Sequence, residues 1–384
     1  MGLLLRKERD LGLFDGAMKE IEERGRKRSL LSVHPLSPPI LVIEGQEKIN
    51  FCSNDYLGLA QDPRLVEAAC QAARDYGAGS KASCLVGGHY DLHEACEREV
   101  AAFKKTEAAL ILNSGYQANI GLLPILATRG DVIFSDALNH ASLIDGCRLS
   151  RAKKEVYSHH DLEALEGALK KAAQARKRWI VVEGVYSMEG DVTPLPEILA
   201  LAEKYEAYVY LDEAHATGVF GKEGRGLVEY FEDQGHSLKT DRLWQMGTFG
   251  KALGSFGAYV AGDRGWMDYV VNTCRSFIFT TALPPPVLGA IRKAVEIVPQ
   301  ESERRRRLWQ WVKMFQGVSP IIPIIIGSEQ ATLHIHERLL EEGFFVQGIR
   351  PPTVPRGTSR LRLTLSASHT QEHIVAFKKV LERG

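Results

Sequence analysis

The sequence predicts an α/β protein: a mostly parallel sheet in a large domain, with a small α+β domain at its C-terminal end. Three observations carry that expectation. From residue 107 onward short apolar runs alternate with helical stretches; the runs are Ala108–Leu112, Val132–Phe134, Trp179–Glu183, Ala207–Leu211, Leu243–Met246 and Ala258–Ala261. Continuous apolar runs suit parallel strands covered by helices on both faces. The runs lead into loops of small and polar residues, and ligands in such sheets sit beyond the C-terminal ends of the strands. Finally, Pro284-Pro285-Pro286 can continue neither a helix nor a central strand, and the composition changes there. The expected partition is residues 1–50 as an N-terminal helix and hairpin segment, 51–285 as the large domain and 286–384 as the small one.

A chain of 384 residues is too long for one ordinary core, which supports that partition. Apolar content of 45% and charged content of 25% are those of a soluble globular enzyme. The 48 basic and 48 acidic residues cancel, which argues against nucleic acid or an anionic membrane as the main partner. The cysteines at 52, 70, 84, 96, 147 and 274 form no C-x-x-C pair and fit a reducing, cytoplasmic setting. No apolar run reaches the ~18 residues of a membrane span. The charged start, Arg6 to Asp10, lacks the apolar core of a signal peptide.

Taken in order, Leu11, Phe14, Met18 and Ile21 recur at helical spacing and predict an amphipathic helix over residues 1 to about 30. It ends in Arg24, Arg26, Lys27 and Arg28, a solvated helix end or a clamp for a carboxylate or phosphate. Leu41 to Phe51 predicts a hairpin turning at Gly45-Gln46. A polar loop, Ser53 to Leu59, precedes a helix of about 14 residues after Pro63. A second helix is expected from about Asp91 to Lys105. His89 and His93 have the i, i+4 spacing of a zinc pair, but no third ligand stands at a telling spacing, so no metal is expected.

The loops after the runs carry the chemistry. Asn113 to Asn119 opens a helix whose small residues can present free N–H groups to a phosphate. Later come Asn139-His140-Ala141-Ser142, then Gly184 to Asp191 with Ser187, then Asp212-Glu213-Ala214-His215. The fifth run leads into Thr248-Phe249-Gly250-Lys251-Ala252-Leu253-Gly254. An exposed lysine near pKa ~10.4 is a poor nucleophile. One held at a strand end can lose its proton and form a Schiff base. Beyond Pro286, Arg304 to Arg307 form a solvated face or a subunit contact. Ile321–Ile326, Phe344–Gln347 and Arg360–Leu365 are expected strands, and Gln330–Glu342 a helix.

A lysine, a phosphate cradle and an aspartate three residues before a histidine are what pyridoxal 5'-phosphate (PLP) needs. The chain resembles the α-oxoamine synthases, PLP enzymes of fold type I. The resemblance runs from about Ser53 to the end and rests on SNDYLGL, SGYQAN, NHAS, EGVYSMEGD, DEAHATG, TFGKALG and SRLRLT. One departure, Lys81-Ala82-Ser83-Cys84, bears on the substrate channel, where many members carry smaller residues and an Arg. The resemblance implies a seven-stranded, mostly parallel sheet and a homodimer with shared sites. By it, Lys251 carries the cofactor and acts as the base. Asp212 meets the pyridine nitrogen. His215, and Ser187 with it, reaches the phenolate, and His140 stacks over the ring. Gly115, Tyr116 and Thr248 bind the phosphate, and Thr280 or Thr281 binds that of the neighbouring subunit. Asn54 and Arg362 hold the amino-acid carboxylate. The segment from Ile349 to Pro355, with Arg350 and Thr353, resembles the branch that condenses L-alanine with a pimeloyl thioester on acyl carrier protein or CoA. Arg26 and Arg28 are candidates for the distal carboxylate. Glycine-using siblings are the alternative within the family, and a PLP-binding regulator without catalysis is the alternative outside it.

Overall fold

The computed structural model describes residues 12–24, 26–238 and 240–383. They form two compact units: residues 53–322 with 364–374, and residues up to 52 with 323–363 and 375 onward.

The large unit is built on a seven-stranded sheet. In chain order its strands are β1 (Ala108–Leu112), β2 (Val132–Asp136), β3 (Lys153–Tyr157), β4 (Arg178–Glu183), β5 (Tyr208–Asp212), β6 (Leu243–Thr248) and β7 (Ala258–Gly262). Their spatial order is β1-β7-β6-β5-β4-β2-β3. The pairs β2–β3, β2–β4, β4–β5 and β5–β6 are parallel, and β7 runs antiparallel to both β1 and β6. The expectation of a mostly parallel sheet therefore holds. The six apolar runs became strands because both faces are covered: Ile180, Val181, Val182, Val209, Tyr210 and Leu211 are all fully buried. One face packs Leu122, Leu123, Ile133, Leu143, Trp179, Val181, Trp244 and Val260 into a single cluster. Leu122→Ala there would cost about 2–5 kcal/mol. The strand that the apolar runs did not reveal is β3. Its sequence, KKEVY, is charged, with Lys153, Lys154 and Val156 exposed, as an edge strand that resists further pairing should be.

Helices Pro63–Tyr76 and Asp91–Lys104 lie close to their expected bounds. Asp62 caps the first, accepting the Arg64 N–H at 3.0 Å. Helix Pro285–Gln300, expected in the small domain, belongs to the large unit. It packs on Pro63–Tyr76 so closely that a Cβ at Gly289 would meet the Ala68 carbonyl oxygen at 2.4 Å. Helix Ser302–Met314 also lies in that unit, so the chain changes unit at Ile322–Pro323 instead of at the prolines.

In the smaller unit, Ile40–Ile43 and Gln46–Asn50 pair as a hairpin, and Phe344–Phe345 adds in parallel to Ile49 and Asn50. The turn is one residue earlier than expected, at Glu44-Gly45, both with positive φ (49° and 78°). Gln347–Ile349 pairs antiparallel with Arg360 to Arg362. The N-terminal helix is shorter than expected, Asp15–Glu23 among the described residues; Leu11 lies outside them. Arg26 and Arg28 therefore stand beyond the helix end. Phe14, Met18 and Ile21 are exposed, so among the described residues this part of the apolar stripe is not buried. No helix among the described residues is long and apolar enough to cross a membrane.

Candidate active site

The C-terminal ends of β2, β4, β5 and β6 lead into the segments that carry His140, Ser187, Asp212, His215 and Lys251. Strand β5 ends on Asp212, which is 5% exposed. Its Oδ1 accepts the Ala214 N–H at 2.9 Å, and its Oδ2 accepts from Asn119 Nδ2 at 2.9 Å. Both oxygens keep further lone pairs for a ring N–H. The turn after Asp212 places His215, also 5% exposed, where its Nε2 lies 2.9 Å from Lys251 Nζ. His215 Nδ1 is 2.6 Å from the Tyr56 hydroxyl, which lies 3.3 Å from Asn54 Oδ1. One donor order satisfies this chain: Lys251 donates to His215 Nε2, His215 Nδ1–H to Tyr56, and Tyr56 to Asn54. Lys251 thus sits at the head of a buried polar relay, half-buried itself.

Asn119 was not assigned a role from sequence, although it closes the SGYQAN motif. Fully buried, it donates to Ser142 Oγ at 2.8 Å as well as to Asp212, and accepts from the Tyr210 hydroxyl at 2.8 Å. Ser142 Oγ in turn lies 2.7 Å from His140 Nδ1. One amide therefore holds Asp212 on one side and, through Ser142, the His140 ring on the other. Much of the His140 surface is open on this chain, as a ring that stacks on a ligand requires. The protein packed around it still holds its pKa below the usual imidazole value, with Lys251 adding to that and Asp212 opposing it. His140 N–H donates to Glu183, at the end of β4. Burial, with Asp212 nearby, holds the Glu183 carboxyl well above the usual carboxylate range. Tyr56 and Glu183, like Asn119, lay inside recognised motifs with no role attached, because their partners are remote in sequence.

The expected phosphate cradle opens the helix Gly115–Leu126. Ser114 caps it by accepting the Gln117 N–H at 3.2 Å, which leaves the N–H groups of Gly115 and Tyr116 pointing out of the first turn. Thr248 was expected to donate to the phosphate. In the structure its hydroxyl donates to the Gly257 carbonyl at 2.8 Å and accepts from the Gly250 N–H at 3.1 Å. Thr281 is exposed, and Asn113 Nδ2 donates to its carbonyl at 2.8 Å and to Thr280 Oγ1 at 3.1 Å. Ser187 is half-buried in the loop after β4. An amine in contact with a buried imidazole, a carboxylate fixed by an amide and a free helix N-terminus form a donor set that fits PLP.

The remaining candidates belong to the smaller unit. Arg362 lies in the strand Ser359–Thr364, 7% exposed and paired in register with Gln347. Arg350 is half-buried, and its carbonyl accepts the Thr353 N–H at 3.1 Å. Thr353 and Arg28 are exposed. His89 and His93 are engaged otherwise than with a metal: His89 Nε2 lies 3.0 Å from Glu97 and His93 Nε2 3.0 Å from the Leu283 carbonyl.

Comparison with known proteins agrees with this geometry. The aminotransferase class I and II family matches residues 46–380. An 8-amino-7-oxononanoate synthase of Geobacter sulfurreducens is 47% identical over 373 residues, covering 94% of each chain. A structure of SPT, a serine palmitoyltransferase, with PLP superposes with a TM-score of 0.89 at 30% identity, over 97% of each chain. An 8-amino-7-oxononanoate synthase of Francisella tularensis superposes with a TM-score of 0.75 at 29% identity, over 88% of this chain and 97% of the other.

Proposed function

The chain belongs to the aminotransferase class I and II family, among its PLP-dependent α-oxoamine synthases, and from that premise we propose that it joins L-alanine to a pimeloyl thioester. The products are 8-amino-7-oxononanoate, carbon dioxide and the free thiol. The observation that carries this reading is the 47% identity with an 8-amino-7-oxononanoate synthase across 94% of both chains. The Lys251–His215 contact supports it, because an amine beside a buried imidazole suits Schiff-base formation and proton transfer.

PLP, when bound, supplies the electron sink for charge that develops at the substrate's Cα. The protein's own residues supply the rest. Lys251 Nζ removes the Cα proton and later returns one, and His215 Nε2 shares the amine's proton meanwhile. Asp212, held by Asn119, keeps a negative charge facing the ring nitrogen so that the nitrogen stays protonated. His140 covers one face and excludes water. Arg362 and Asn54 hold the substrate carboxylate; a guanidinium meets a carboxylate with two parallel bonds and so fixes which bond at Cα points at Lys251. Arg350, Thr353 and Arg28 serve the acyl donor, whose distal carboxylate needs a cation.

The enzyme works as a cytoplasmic homodimer in this reading, with Thr281 reaching the neighbouring site. Leu85, Val86, Phe256 and Phe279 of the large unit are exposed and apolar, which supports self-association. The test is a side-by-side assay of L-alanine and glycine, each with pimeloyl-CoA and pimeloyl carrier protein. Carbon dioxide and 8-amino-7-oxononanoate should appear with L-alanine. Preference for glycine with a short acyl-CoA would make the chain a glycine-using sibling, and absence of turnover with every pair would favour a PLP-binding regulator.

A further inference from the structure

Beyond the cofactor residues, the same edge of the sheet carries a second cluster. Asp136 ends β2, His159 and His160 follow β3, and Asp191 lies in the loop after β4. These three strands are neighbours in the order β4-β2-β3. Asp136 is 1% exposed and fully committed: Oδ1 accepts from Leu138 N–H and from His159 Nδ1, each at 2.9 Å, and Oδ2 accepts the His160 N–H at 3.1 Å. That fixes the His159 tautomer with its Nδ1 protonated. The other nitrogen, Nε2, faces Asp191 Oδ2 at 2.7 Å. A lone pair on nitrogen and one on a carboxylate oxygen cannot face each other at that distance unless a cation stands between them: a proton or a metal ion.

A third donor points at the same place. His160 Nδ1 lies 3.8 Å from the same Asp191 oxygen, and the three donor atoms all lie within 4.8 Å of one another. Donors on a tetrahedron with bonds of about 2.0–2.1 Å stand roughly 3.3 Å apart. The observed 2.7 and 3.8 Å bracket that edge, so an ion requires the Asp191 carboxylate to draw back from His159 and the His160 ring to turn out of its 25° stack on His159. The ring stacks on His159 with centroids 3.9 Å apart, from a backbone at φ 55°, where non-glycine residues are uncommon. His160 Nε2 and Asp191 Oδ1 are both buried with no hydrogen-bond partner, so neither residue is fully satisfied by the protein alone.

We propose that His159, His160 and Asp191 bind one divalent transition metal ion of the zinc class, with water at the open position and Asp136 orienting His159 from behind. A carboxylate behind a ligating histidine is the usual way to fix its tautomer and raise its basicity. The ion has a structural task. The metal ties the loop after β3 to the loop after β4, which also carries Ser187, and through Asp136 it braces the start of the loop that carries His140. No spacing in the sequence announces it, because the donors come from two loops and the sheet brings them together.

The experiment uses the untagged, PLP-loaded full chain, stripped with a chelator and titrated with Zn2+ alone and with Co2+ alone. One Zn2+ should bind per chain with a Kd of about 1 µM or tighter, raising Tm. Co2+ should give the strong ligand-field bands of a four-coordinate site. His160→Asn, whose metal-free Tm should match the wild type, and Asp191→Asn should each weaken binding at least about 10-fold. No stoichiometric binding, or binding unchanged in both variants, overturns the proposal and leaves a proton alone between His159 and Asp191.

Discussion

His140 and His159 follow adjacent strands, β2 and β3, at the same edge of one sheet, and burial pushes both rings toward the neutral form. Their neighbours then separate them. Around His140 burial prevails and the pKa falls, although Asp212 and Asp145 favour the imidazolium, because Lys251 opposes them. His159 has a carboxylate at each nitrogen, Asp136 at 2.9 Å and Asp191 at 2.7 Å, and its pKa rises to about 10. The lesson is that carboxylates in contact with both nitrogens outweigh desolvation, whereas carboxylates opposed by a lysine do not. The first arrangement suits a ring that must lie flat on a cofactor without adding charge. The second suits a fixed cation between two loops.

The comparison breaks hardest at Lys251. Lys251→Ala removes the Schiff-base amine, the base and the charge opposing Asp212 together. Turnover should fall at least about 10³-fold, while circular dichroism stays that of a folded protein and PLP is held only weakly. Next comes Asp212→Asn, which leaves the ring nitrogen without its carboxylate. Exchange of the L-alanine α-proton in heavy water, followed by NMR, should slow by about 10²-fold or more. Cofactor affinity should change far less.

Asn119→Ala comes third, and it sharpens the comparison because it alters no charge. It leaves the buried Tyr210 hydroxyl and Asp212 Oδ2 short of a partner. That should cost about 1–3 kcal/mol of stability in urea unfolding and lower kcat roughly 10-fold through misplacement of Asp212 and His140.

The smallest effect is expected at the second histidine. The folded-state pKa of His159 lies above the unfolded value of about 6.5. Its stabilising contribution is therefore full below about pH 6.5 and is lost as pH rises toward 10. In metal-free buffer, the wild type should exceed Asp191→Asn in Tm by roughly 2–4 °C at pH 6, and the gap should close by pH 10. A gap that did not change with pH would mean that the Asp191 contact is not charge-dependent.

These four sites also differ in how far the sequence announced them. The placement of Lys251, Asp212 and His215 was legible, because strand ends in a parallel sheet follow apolar runs. The apolar runs marked six of the seven strands; β3 escaped since an edge strand needs charge where a central one needs apolar surface. Asn119 was part of a visible motif, but its task depends on Asp212, 93 residues away. His159, His160 and Asp191 have no telling spacing at all, and only the neighbouring positions of β2, β3 and β4 unite them. The N-terminal stripe of Phe14, Met18 and Ile21 was legible as a helix, but periodicity does not say what covers it, and among the described residues nothing buries it.

The measurement closest to the centre of the account is borohydride reduction of the PLP-loaded protein, followed by peptide mass spectrometry. Reduction fixes the cofactor to whichever amine holds it. The account predicts one pyridoxyl group per chain, on the peptide carrying Lys251, and its loss from that peptide after L-alanine is added in excess. A label on any other lysine, or a label on Lys251 that L-alanine does not displace, would contradict it.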